Sequence, residues 1–197
     1  MRFPAVSRAD ALRQYTQESL MSLLFLVGPR ACGKTTIGRN LAAQRRVPFI
    51  DTDALLQEQA QRSIADIVAK DGWPAFRRLE SEALKEAARR CGYPDAPQGV
   101  IATGGGMVLA EENRRFLREA GSVIFLQAPA ATLAQRLSRH GLPSQRPSLT
   151  GGDMVQEVAT VLAERLPLYR STAHHWVDAT LPVSALCALL QRLCPQK

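Results

Sequence analysis

Short apolar runs alternate along this chain with longer stretches in which apolar residues recur every three or four positions. SLLFLV (22–27) is continuous and only strand-long, whereas IGRNLAAQ (37–44) sets Ile37 and Leu41 four apart on one helical face. VPFID (47–51), GVIATGGG (99–106), SVIFLQA (122–128) and HWVDA (175–179) read as four more strands. Helical periodicity fills the intervals at 53–60, 63–70, 73–90, 111–120, 131–139, 154–170 and 183–193. Within 73–90, Pro74 suits a first turn, and Phe76, Leu79 and Ala83 mark an apolar face. This regular alternation predicts an α/β protein: a three-layer α/β/α fold around a central, mainly parallel five-stranded sheet, with ligands at the carboxyl ends of the strands.

Two segments fall outside the pattern. Residues 1–20 carry mixed charge and weak periodicity, with a short helical stretch at ADALRQYTQ, and are expected to form an accessory extension to a single domain over 21–197. RHGLPSQRPSLTGG (139–152) is long for a connection and rich in Pro, Gly and Ser. It is expected to be a mobile lid hinged at its glycines.

Composition narrows the class. With 197 residues, 46% of them apolar and 22% charged, the chain has the make-up of one globular domain. The net charge of +7 arises from 21 Arg and 4 Lys against 18 acidic residues, and the basic residues are spread along the chain. No nucleic-acid partner is expected. Cys32, Cys91, Cys187 and Cys194 lack metal-ligand spacing, and one lies where a disulfide would disrupt a loop, so a reducing compartment is expected. No apolar run approaches a membrane span, and LLFLV is too short for a signal sequence, so the expected location is the cytoplasm, away from membranes.

The strongest chemistry lies at GPRACGKTT (28–36). Gly28, four residues, then Gly33-Lys34-Thr35 fits the phosphate-binding loop, and the flanking strand and helix supply the context it needs. Backbone N–H groups across Gly28, Ala31, Cys32, Gly33, Lys34, Thr35 and Thr36 are expected to cradle the phosphates of ATP, with Lys34 reaching the outer ones and the Thr35 hydroxyl ligating Mg²⁺. Cys32, beside Lys34 and a helix N-terminus, is expected to be a reactive thiol that nucleotide protects.

Other phosphate-loop classes are excluded by what is missing. The asparagines, Asn40 and Asn113, precede Leu41 and Arg114, so the Asn-Lys-x-Asp element that reads guanine is absent. VIAT ends in Gly104-Gly105-Gly106 and not in the acidic residue of motor and transport ATPases. The carboxylates must come from Asp51-Thr52-Asp53. Asp51 can point to Mg²⁺ beside Thr35, and Asp53 either faces a substrate hydroxyl or caps the helix that follows. Three glycines at a strand end suit either a tight turn or the close approach of a ligand.

GPRACGKTT, DTD, RSIADIV, the FRRLE segment, ATGGG, QRPSL and the RLPLY segment occur in this order, and in them the chain resembles the shikimate kinases, nearest the type II enzymes, over nearly everything after Met21. The resemblance implies ATP-dependent phosphorylation of the 3-hydroxyl of shikimate, on the route to chorismate and the aromatic amino acids. It implies that Asp53 binds the substrate hydroxyls, that Arg77 and Arg165 grip the carboxylate, and that Gly104, Gly105 and Gly106 line the same pocket. It also implies that Arg146 closes over the phosphates from the lid. Bidentate guanidinium forks suit a small carboxylated acceptor. Lys34, Asp53 and Arg146 are the expected catalytic groups, with Thr35 and Asp51 at the metal, in a monomer. The alternatives are a kinase of another small acceptor, such as gluconate or a nucleoside monophosphate, and a nucleotide-binding regulator without turnover.

Overall fold

A computed structural model describes residues 23–139 and 154–195. The expected helical stretch within 1–20, and the expected lid beyond Arg139 with Arg146 in it, lie outside the described residues. Five strands form one sheet: β1 (Leu23–Val27), β2 (Phe49–Asp51), β3 (Gly99–Ala102), β4 (Gly121–Gln127) and β5 (His175–Asp178). Their order is β2-β3-β1-β4-β5, and every pairing is parallel, so the sheet is uniformly and not just mainly parallel. The reason is that each strand returns to the same end of the sheet through a helical crossover. The helices are α1 (Lys34–Arg45), α2 (Thr52–Ala60), α3 (Ile64–Arg90), α4 (Glu111–Ala120), α5 (Ala130–Arg139), α6 (Met154–Thr172) and α7 (Val183–Leu193).

All five residues of β1 are buried, because helices cover both faces of a parallel sheet. Its side chains divide by pleat. Leu23, Phe25 and Val27 join Leu84, Ile101, Phe125 and Tyr169 on one face, while Leu24 and Leu26 join Ile37, Leu41, Ile124 and Leu186 on the other. A smaller cluster of Leu56, Ile64, Ile67, Phe76 and Ala83 ties α2 to α3. Each fully buried Leu or Phe contributes on the order of 2 kcal/mol.

α3 is two helices meeting at one residue. Gly72 has φ 76° and ψ 171°, a backbone open to glycine, and Pro74 follows in the first turn of the second segment, where its missing N–H costs nothing. The separate periodic stretches at 63–70 and 73–90 are thereby explained. Ser63 caps the first segment, its Oγ accepting from the Asp66 N–H at 3.1 Å. Because β1, β2 and β3 are neighbours with their carboxyl ends aligned, the loops leaving Val27, Asp51 and Ala102 share one rim of the sheet.

Candidate active site

The phosphate loop leaves β1 and enters α1 through Gly33, whose left-handed backbone (φ 102°) forms the N-cap with no side chain closing the helix end. The first amides of α1 are therefore left to the loop, the arrangement that holds anions. Ala31 is also left-handed, at φ 61°. Lys34 folds back along the loop and donates from Nζ to the carbonyls of Gly28 (2.9 Å) and Pro29 (2.7 Å). Cys32 sits inside the loop, fully buried, with Lys34 Nζ 3.6 Å from its Sγ. Burial shields this thiol from reagents, which corrects the expectation of a reactive cysteine.

The DTD segment resolves into three roles. Asp51 is the N-cap of α2: its Oδ1 accepts from the N–H groups of Asp53 (3.0 Å) and Ala54 (3.3 Å). Its Oδ2 accepts from the Thr35 hydroxyl at 2.7 Å. Asp53 is thus released from the capping role that was one of its two readings, because the residue before the helix does that work. Thr52, buried between them, accepts the Gly104 N–H at 3.0 Å and ties β2 to the glycine triad.

The triad collects the remaining groups. A Cβ placed on Gly104 would lie 2.6 Å from Asp53 Oδ1 and 2.6 Å from Glu80 Oε1. On Gly106 it would lie 2.0 Å from Arg77 Nη1, and on Gly105 it would meet Arg30 N at 3.5 Å and Gly28 O at 3.6 Å. Side chains of Asp53, Glu80 and Arg77 press against the backbone at Gly104 and Gly106 and leave no room for a Cβ there, while Gly105 between them would bring a Cβ only into ordinary contact with the phosphate loop. Arg165 donates from Nη1 to Gly105 O at 3.2 Å and, among the described residues, makes no ion pair with Glu164 or Glu82. Asp53, Arg77 and Arg165, carried by α2, α3 and α6, therefore converge on Gly104, Gly106 and Gly105 in turn.

Three partners of these groups escaped the sequence reading. Glu80, 1% exposed, accepts from Arg77 Nη1 at 2.5 Å, and the guanidinium also lies over Trp73 and Phe76 at 5.4 and 5.2 Å from the ring centroids. The signal was available: Glu80 stands four residues after Phe76 on the apolar stripe of α3, where an acid must be paired. Tyr169 is 1% exposed, stacks on Phe125 at 5.0 Å, and donates its hydroxyl to Gly105 O at 2.6 Å. Burial pushes its phenol far above the ordinary range, so it remains a donor. Thr52 gave no signal beyond its place between two acids.

His174 belongs to the frame. Its Nδ1 accepts the Val123 N–H at 3.0 Å while its own N–H donates to Val123 O at 2.8 Å, extending the β4–β5 edge.

The family model described as "Shikimate kinase" matches residues 30–192. The chain is 55% identical over 157 residues to "Shikimate kinase 2" of Enterobacter sp. (strain 638), covering 80% of this chain and 86% of that protein. It is 51% identical over 173 residues to "Shikimate kinase" of Oleidesulfovibrio alaskensis, covering 88% and 97%. A solved shikimate kinase from Acinetobacter baumannii, in complex with shikimate, superposes with a TM-score of 0.78 at 32% identity, over 90% of this chain and 96% of that one.

Proposed function

Because this chain belongs to the shikimate kinase family, we propose that it transfers the γ-phosphoryl group of ATP to the 3-hydroxyl of shikimate, giving shikimate 3-phosphate and ADP. The observation that carries the reading is the convergence of Asp53, Arg77 and Arg165 on three successive glycines, the middle one of which faces the phosphate loop. One carboxylate and two cations around a backbone surface suit a small acceptor bearing hydroxyls and one carboxylate.

The hydroxyl oxygen of the acceptor forms a bond to the γ-phosphorus, the bond from that phosphorus to the β,γ-bridging oxygen breaks, and ADP leaves with the bridging oxygen. Such a transfer depends on positioning and charge neutralisation more than on a strong base. Asp53 orients the hydroxyl and takes its proton. Lys34 exchanges the carbonyls of Gly28 and Pro29 for phosphate oxygens. The N–H groups from Gly28 to Thr36 hold the phosphates, and Arg146 neutralises charge developing on the transferred group once the lid is shut. Arg77, aligned by Glu80, and Arg165 hold the carboxylate against Gly104, Gly105 and Gly106.

Thr35 Oγ1 and Asp51 Oδ2, 2.7 Å apart at an open helix end, are hard oxygen donors that fit Mg²⁺, Thr35 as ligand and Asp51 through water. When bound, the ion would screen the β- and γ-phosphate charge.

All of these groups come from one chain, and the enzyme acts as a monomer in this reading. No helix among the described residues is long and apolar enough to cross a membrane, and all four cysteines are free, which is compatible with a cytoplasmic enzyme. ADP release with ATP alone and with added shikimate, gluconate or a nucleoside monophosphate tests the reading. Release should depend on shikimate; equal release without an acceptor, or preference for another acceptor, overturns it.

A further inference from the structure

The carbonyl of Gly105 receives two donors, and they are not equivalent. Tyr169 reaches it at 2.6 Å from a buried ring stacked on Phe125, whereas Arg165, one turn earlier on α6, reaches it at 3.2 Å from a half-buried side chain. Gly105 itself is buried. A carbonyl oxygen has two lone pairs, so both bonds form together and either suffices to keep the acceptor satisfied. The cost of a buried acceptor arises only when both are gone.

We propose that Tyr169 is a positioning residue whose hydroxyl keeps Gly105 satisfied while Arg165 leaves that carbonyl for the carboxylate of the acceptor. The inference rests on the reading of Arg165 as a carboxylate partner. Without the Tyr169 hydroxyl, Arg165 is the remaining donor to Gly105, and turning it to substrate strands a buried oxygen. The free enzyme keeps its fold in that case, because Arg165 stays where it is. The penalty falls on the acceptor complex alone.

Tyr169→Phe retains the ring and its stack and removes only the hydroxyl. The variant is compared with wild type, Arg165→Ala and the double variant for KM of shikimate, KM of the shikimate amide and KM of ATP, with thermal shift on adding shikimate as a binding readout independent of turnover. Tyr169→Phe should raise the shikimate KM about fivefold and shrink the shikimate-induced thermal shift. The amide and ATP values should be unmoved, and the change should add nothing once Arg165 is Ala. An unchanged shikimate KM overturns the proposal, as does an equal rise for acid and amide, which marks a loss of loop order only, or full additivity in the double variant. If Arg165→Ala raises the shikimate KM while Tyr169→Phe does not, the proposal fails and the carboxylate reading stands; if Arg165→Ala has no effect, both fail.

Discussion

The hydroxyl of Thr35 and the carboxylate of Asp51 are joined at 2.7 Å although Thr35 stands in the helix after β1 and Asp51 ends β2, strands separated in the sheet by β3. One oxygen of Asp51 closes α2 and the other faces the phosphate loop. Fold and the proposed metal requirement can therefore be separated by substitution. Asn caps a helix about as well as Asp, so Asp51→Asn should leave the melting temperature close to wild type and raise the Mg²⁺ concentration needed for half-maximal rate roughly tenfold. Asp51→Ala should add a loss of about 1 kcal/mol of stability. Mg²⁺ titrations of the rate and thermal melts distinguish the two.

Lys34→Met and Asp53→Asn should each lower kcat by about two orders of magnitude, for different reasons. The first removes the cation proposed to reach the phosphates, and ATP affinity should fall with it. Asp53→Asn keeps ATP binding and loses acceptor orientation. Equilibrium binding of ATP beside steady-state rates checks the split, and an unaltered rate in Asp53→Asn would refute the assignment.

The three arginines should differ in their kinetics. Arg77→Ala and Arg165→Ala remove binding present in ground and transition states alike, so the shikimate KM should rise about thirtyfold for a lost charge-assisted contact of about 2 kcal/mol. Arg146→Ala should mainly lower kcat if, as proposed, its partner is the transferring group.

Gly106→Ala places a methyl 2.0 Å from the present position of Arg77 Nη1. The guanidinium has to leave its place, so the shikimate KM should approach that of Arg77→Ala while the ATP KM stays within about twofold of wild type. Initial-rate kinetics with each substrate varied would show this, and an unchanged shikimate KM would remove Arg77 from the carboxylate.

Burial first, then the charges of Arg118 and His175, lower the pKa of His174, whose Nδ1 must be unprotonated to accept the Val123 N–H. A base with a depressed folded pKa binds fewer protons folded than unfolded. Stability is therefore complete above the unfolded value of about 6.5 and is lost as the pH falls from there toward the folded value. Melting temperature should drop on going from neutral to mildly acidic pH, and the drop should shrink in His174→Asn, whose side-chain oxygen accepts without titrating.

The layers, the strand positions and the phosphate loop were legible in the sequence because each rests on local signals: an apolar run, a helical period, a glycine-lysine spacing. The break in α3 was legible for the same reason, since Gly72 and Pro74 interrupt the periodicity. Asp53 was not decidable, because whether a carboxylate caps its own helix depends on whether its neighbour already does, and that is settled only when Asp51 Oδ1 is seen to accept the Asp53 and Ala54 N–H groups. Glu80 pairs with Arg77 only three residues away and was marked by its place on the apolar stripe of α3, whereas Tyr169 acts on Gly105, distant in the chain, and only the packing of α6 over the strand ends brings it there.

The surface that Gly104, Gly105 and Gly106 present to the pocket is main chain, and main chain offers evolution no side chain to exchange. A descendant acquiring a different acceptor would have to do so through Asp53, Arg77 and Arg165, each carried by its own helix, with the first two neighbours through Glu80. The proposed pocket is thus divided into a main-chain backing and three side-chain adjusters, a division that permits stepwise drift in acceptor preference while the nucleotide half stays as it is.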